Sequence, residues 1–268
     1  MRTPLAFAAA VAALAFPLAL AAPPGSARAE DPPPGLIHVL YVEGYPRWEY
    51  RYLKSLLVRD PSYELRAYLV SAHRDFPQEA SPGATPLAAP PTRADVAAAD
   101  VVVLGDLAAA DLAPETVAAI REGVERGRLG LVVIAGARGL EALAGSPLAP
   151  ILPVALDGAA GRTVASTPLE TTDAFVERLA PPADLPALPS IYWLVAGAAP
   201  REGATVLART ARAPPGAGGD ATIVSGPAGK GRVAFIGTDE VWRWRAGVGD
   251  RHYGWLWRAL IRDVAPAR

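Results

Sequence analysis

Short β-branched runs alternate with stretches of helical period along this chain, the pattern of βαβ units around a parallel sheet. The run "LIHVLYV" at 36–42 predicts the first strand, and a helix over 47–59 follows it. "YELRAYLV" at 63–70 and "DVVVLGD" at 100–106 predict the second and third strands. A helix is expected over 114–126, with Pro114 suited to the first helical position. "LGLVVIAG" at 129–136 is almost wholly apolar, so it predicts a central strand buried on both faces. The proline-rich stretches 76–93 and 181–189 predict surface loops. "ATVLART" at 204–210 and "ATIVS" at 221–225 read as strands. "GPAGKG" at 226–231 then turns the chain back into "RVAFIGTD" at 232–239, an antiparallel hairpin at the sheet edge. In a last helix over 250–264, Tyr253, Leu256, Trp257, Leu260, Ile261 and Val264 keep helical spacing and predict one core-facing side. The fold class expected is α/β, a doubly wound and mostly parallel sheet with an antiparallel edge hairpin.

Composition adds a compartment. Residues 1–29 combine an early Arg2, an apolar run and small residues at Ala27 and Ala29, the pattern of a signal peptide cleaved after Ala29. The alternative is an uncleaved anchor over 5–22, which Pro17 and the many alanines weaken. Residues 30–268 then form one exported α/β domain, periplasmic or secreted. Loss of Arg2 and Arg28 with the leader takes the formal charge from −1 to −3, which disfavours a nucleic-acid partner. There is no cysteine, hence no thiol nucleophile, no thiolate metal ligand and no lipoprotein attachment site.

The chemistry-bearing residues concentrate in two segments. In "VEGYPRWEYRYL" at 42–53, Gly44 permits a turn and Pro46 can open the helix. Glu49 then shares the core-facing stripe with Leu53, Leu56 and Leu57. A carboxylate there is costly without a partner, and arginine is the expected one. The segment 238–257, "TDEVWRWRAGVGDRHYGWLW", holds four of the six tryptophans. If the two segments meet at the sheet's C-terminal rim, Glu49 should pair with Arg243 or Arg245, and Asp239 or Glu240 should answer Arg47 or Arg51. The resulting clasp cluster is Glu43, Tyr45, Arg47, Trp48, Glu49, Arg51, Asp239, Glu240, Trp242, Arg243, Trp244 and Arg245.

Other motifs fail on spacing. "GPAGKG" lacks the G-x-x-x-x-G-K-[ST] pattern of a phosphate loop. The turn after the fourth strand carries Ala135, Gly136 and Ala137 in place of G-x-S-x-G. His38, His73 and His252 are too scattered for a metal site, so neither a metal nor a cofactor is expected.

Three stretches together resemble a family: "YVEGYPRWEYRYLKSLLVRDP", "GLVVIAGARGLEALAGSPLAPILPV" and "GKGRVAFIGTDEVWRWR". They are similar to the class I glutamine amidotransferase-like domains of exported or membrane-tethered bacterial proteins, often joined to von Willebrand factor A-like regions. The resemblance spans the chain after the leader and implies a flavodoxin-like sheet. Glutaminases of that superfamily place a Cys at the elbow and a His–Glu pair after a late strand. Here the elbow has no Cys, and the late strand ends in Thr238, Asp239 and Glu240, so glutamine hydrolysis by that route is excluded.

The function expected is therefore a noncatalytic binding or assembly module of the cell envelope, with a protein partner or small ligand at the aromatic rim. Membrane contact is expected only if the leader is kept. The rival is a cysteine-independent hydrolase in which Glu43, Glu49, Asp239 and Glu240 supply the acid and base.

Overall fold

A computed structural model of the chain describes residues 35–211, 219–246 and 249–267; the expected leader lies outside the described residues. Eight strands form one sheet. Five of them run parallel: β2 (Tyr63–Leu69), β1 (Ile37–Glu43), β3 (Val101–Leu104), β4 (Gly130–Ile134) and β12 (Gly231–Ile236), in that spatial order. The sheet continues antiparallel through β11 (Ala221–Ala228), β10 (Thr205–Thr210) and β7 (Leu169–Thr171).

The hairpin of β11 and β12 is present, but it does not form the edge. β12 pairs with β4 inside the parallel set, and β10 and β7 extend the sheet beyond β11. Its turn is also tighter than expected, since β11 runs through Gly226 and Pro227 and the chain reverses at Gly229 and Lys230. Pro227 offers no amide hydrogen, yet stays in register opposite Arg232 near the strand end, where a missing donor disturbs the ladder least.

Both sheet faces are covered because the central strands alternate two apolar sets. Val39, Tyr41, Val101, Val103, Val132 and Ile134 point to a layer holding α1 (Trp48–Arg59), α5 (Asp173–Leu179) and α6 (Asp250–Val264). Leu40, Val42, Val102, Leu104, Leu131 and Val133 point to the opposite layer. There they meet Val96 of α2 (Arg93–Ala97), Ala119, Ile120 and Val124 of α3 (Pro114–Glu125), and Leu140 of α4 (Leu140–Ala144). α1 begins at Trp48, with Arg47 extended at its cap, rather than at Pro46. That extended residue matters below, because its side chain turns back under the strand end.

The segment between α4 and β10 adds two small antiparallel pairs. β5 (Val154–Ala155) pairs with β9 (Ala199–Pro200), and β6 (Ala160–Thr167) with β8 (Ile191–Ala196). Ile191 and Leu194 of β8 reach the first core layer, whereas β6 is exposed along most of its length. No helix among the described residues is long and apolar enough to cross a membrane.

Candidate functional site

The helices after β1 and β3 lie on opposite faces of the sheet, so a crevice opens between the C-terminal ends of these neighbouring strands. Glu43, the last residue of β1, fills it and is fully buried. Its carboxylate accepts hydrogen bonds from the Asp106 amide at 2.9 Å, from the Tyr41 hydroxyl at 3.2 Å, and from Arg47 through Nε at 3.2 Å and Nη2 at 3.0 Å. Glycine at 105 is required by this packing, since a Cβ there would fall on the Glu43 carboxylate.

Arg47 ties the crevice together. Beyond Glu43 it donates Nη1 to the Ala135 carbonyl at 2.9 Å and to Asp239 at 3.3 Å, and Nη2 to the Ile134 carbonyl at 3.4 Å. One guanidinium thus joins the ends of β1, β4 and β12. Burial works against its charge, but the Glu43 carboxylate beside it holds its proton more tightly than an ordinary arginine's. Asp239 keeps about a quarter of its side chain exposed. Burial raises its carboxyl above the usual range, with Arg47 opposing and Glu240 adding to the shift.

Glu49 shares a fully buried state with Glu43 but none of its partners. Its carboxylate accepts the Trp242 amide at 2.8 Å, the Tyr253 hydroxyl at 2.8 Å and the Trp257 indole N–H at 3.1 Å. The expected pairing with Arg243 or Arg245 is absent. Those arginines stand on the outer side of the 3₁₀ turn Val241–Arg245, where Arg243 binds Glu240 at 2.7 Å and Arg245 binds Asp250. Three neutral donors satisfy Glu49 without desolvating a second ion. Burial pushes its carboxyl up to about 7 despite these hydrogen bonds.

The two sequence segments therefore do meet, in two unlike contacts. The ionic one is Arg47 between Glu43 and Asp239, and the neutral one is Glu49 against α6 and the 3₁₀ turn. Glu240 serves the backbone as well as Arg243, accepting the amides of Tyr192 and of Trp193, the latter at 3.0 Å. Trp244 is not a rim residue: it is buried in the core, about 6.4 Å from the His252 ring.

Outside these contacts lies an aromatic platform. Trp48 is 53% exposed, Tyr45 51% and Tyr192 43%. Trp48, Tyr52 and Trp242 form a triangle with centroids 5.7, 6.1 and 6.1 Å apart. An arginine lies over each ring: Arg51 over Trp48 at 5.3 Å, Arg245 over Tyr52 at 3.7 Å and Arg243 over Trp242 at 4.7 Å. Arg243 also covers Tyr192 at 4.6 Å, and Arg138 covers Tyr45 at 5.3 Å. Arg51 meets Trp48 instead of an acid.

Sequence reasoning missed Tyr52, Asp106, Arg138 and Tyr192. Asp106 is buried and accepts the Arg138 amide at 3.1 Å and the Gly139 amide, fixing the turn that leads into α4. A side chain at Gly136 would displace its carboxylate. Its signal was the Gly105–Asp106 step at the end of a central strand. Tyr192 was carried by the short apolar run "IYWLVA".

No protein-family model and no curated protein matches the sequence. Solved structures do. Cytoplasmic Protein STM3548 from Salmonella typhimurium superposes with a TM-score of 0.62 at 18% identity, over 85% of this chain and 99% of its own. Cytoplasmic Protein STM1381 from Salmonella typhimurium LT2 gives 0.61 at 17% identity, over 85% of this chain and 100% of its own. What is shared is the fold. At such identities the likeness carries no activity, ligand or compartment to this chain.

Proposed function

We propose that this is a noncatalytic binding or assembly module of the cell envelope, with a flavodoxin-like sheet of the class I glutamine amidotransferase-like kind. The strand order at the parallel end, with β1 between β2 and β3 and then β4 and β12, supports the flavodoxin-like assignment. The signal-peptide pattern of residues 1–29 supports export. One observation carries the functional reading. Three of the four candidate acids are held by arginines, Glu43 and Asp239 by Arg47 and Glu240 by Arg243, and the fourth, Glu49, is sealed among neutral donors, whereas the rings of Tyr45, Trp48 and Tyr192 are presented to solvent. Carboxylates held this way are poor proton carriers, and rings with guanidinium groups over them are the side chains that make binding hot spots.

Capture from envelope extracts tests the proposal, comparing the native chain with a Trp48→Ala, Tyr192→Ala variant. A partner retained by the first and lost by the second, at equal folded content, is expected. Equal retention by both overturns the assignment to the rim.

The hydrolase alternative rests on Asp239, whose carboxyl is partly exposed and is raised by burial above the usual carboxylate range against the pull of Arg47. Turnover of chromogenic ester or glycoside substrates that disappears in Asp239→Asn would establish it in place of the binding module.

A further inference from the structure

On the face of the molecule built by α5 and α6, a groove of about 390 Å³ is lined by Arg178, Leu179, Trp255, Arg258, Ala259, Arg262 and Asp263. Three guanidinium groups surround an apolar floor, and Phe175 braces the Trp255 indole edge-on at 5.7 Å. The acids nearby do not use up this charge. Arg178 reaches Asp263 through Nε at 2.6 Å, and Arg258 reaches Asp60 through Nε at 2.5 Å with its Nη1 lying over Gly254, so the hydrogen bond in each pair runs through Nε. Arg232 competes for the same Asp263 at 3.8 Å. Burial lowers the Arg232 pKa, with the Asp263 carboxylate opposing the shift and the like charge of Arg178 adding a smaller part to it. Arg262 is exposed and has no acid partner among the described residues, its electrostatic neighbour being the Tyr63 hydroxyl. On α6, Arg251, which pairs with Asp184 at 2.7 Å, recurs at helical spacing with Trp255, Arg258 and Arg262 to form one outward stripe.

We propose that this groove binds a phosphoryl group, with the terminal nitrogens of Arg178 and Arg258 and the Arg262 guanidinium taking the phosphate oxygens and Trp255 taking the apolar part of the ligand. Planar guanidinium forks match phosphate oxygens geometrically, and each such hydrogen bond is charge-assisted. The phosphoryl group can belong to a soluble phosphate ester or to an anionic lipid headgroup. The stripe on α6 suits both, since an indole flanked by arginines lies readily at a lipid surface.

The test uses the full chain in two arms. Calorimetric titration with inorganic phosphate, at low and at high salt, reads the soluble arm. Sedimentation with phosphatidylcholine vesicles, with and without phosphatidylglycerol, reads the lipid arm. Arg262→Glu is the decisive variant, because this exposed side chain holds no acid in place and its loss leaves the fold intact. At about fivefold per elementary charge near an anionic surface, reversal, a change of two charges, should weaken retention on phosphatidylglycerol by roughly twenty-five-fold. Phosphate binding without selective vesicle retention assigns a soluble ester. Selective retention without phosphate binding assigns a headgroup. Binding in neither arm, or binding in either arm that Arg262→Glu leaves unchanged, overturns the site.

Discussion

Two buried carboxylates on neighbouring elements solve one problem in opposite ways. Glu43 keeps a full ion pair with Arg47, and Glu49 has only neutral donors and a carboxyl pushed up to about 7. The difference lies in what surrounds them. At the end of a parallel strand the backbone still has unpaired groups to offer, so the Asp106 amide and the Ile134 and Ala135 carbonyls solvate both members of the ion pair. Between α1 and α6 the helical carbonyls are bonded within their own helices, so a guanidinium reaching the Glu49 carboxylate would find few acceptors for its remaining N–H groups. The helix contact therefore selects phenol and indole donors and lets the acid titrate. Buried charge follows the free backbone, and hydrophobic contact tolerates a carboxyl only near neutrality.

The largest test of this contrast is Arg47→Ala. It leaves Glu43 charged and unpaired, and the expected loss is about 3–5 kcal/mol in urea unfolding. Adding Glu43→Gln to that variant should restore part of the stability, and no recovery would mean that Arg47 acts through packing alone. The pH dependence comes next. Because the folded-state pKa of Glu49 is raised from about 4.5 to about 7, the folded protein binds more protons than the unfolded chain between those values. The stability tied to Glu49 is thus fully present below about pH 4.5 and is lost as the pH rises through about 7. Its size is roughly 3 kcal/mol, from about 1.4 kcal/mol per pKa unit. Unfolding measured from pH 4.5 to 8 should show this slope in the native chain relative to Glu49→Gln, and parallel curves would remove the buried titration. Trp257→Phe deletes one donor to the charged form. It should cost about 1.5–3 kcal/mol at pH 8 and less at pH 5, a difference that Glu43 variants should not show. The smallest stability effect belongs to Trp48→Ala, at about 0.5–1 kcal/mol for lost ring contacts. The same variant carries the largest expected loss of partner capture.

The parallel half of the fold was legible because its strands are continuous apolar runs and its helices keep a 3.6-residue period, as at 36–42, 129–136 and 250–264. β5, β7 and β9 were not, since strands of two or three residues have no period to read. β6 was hidden for another reason: it is exposed along most of its length and shows no apolar alternation. The sheet edge was misplaced because the hairpin was taken to end the sheet, whereas β12 enters the parallel set, β10 pairs beyond β11, and β7, from far upstream, forms the edge. In the site, the core-facing position of Glu49 followed from helical spacing, and the meeting of the two segments followed from the rim rule. The identity of the Glu49 partners did not, because pattern alone cannot weigh the desolvation of a second ion against three neutral hydrogen bonds. Tyr253 and Trp257 were visible as apolar positions of the last helix, and their polar tips were overlooked.

The slot between β4 and β11 is filled by Gly231–Ile236, a strand that leaves the ribosome after almost every other part of the sheet. A nascent chain therefore holds β4 as an open seam, and neither Arg47 nor Glu49 can find Asp239, Trp242 or Tyr253 until β12 and the start of α6 have emerged. Closure comes as one late event, and a chain stopped short of it is left with an interior strand open along one sticky edge.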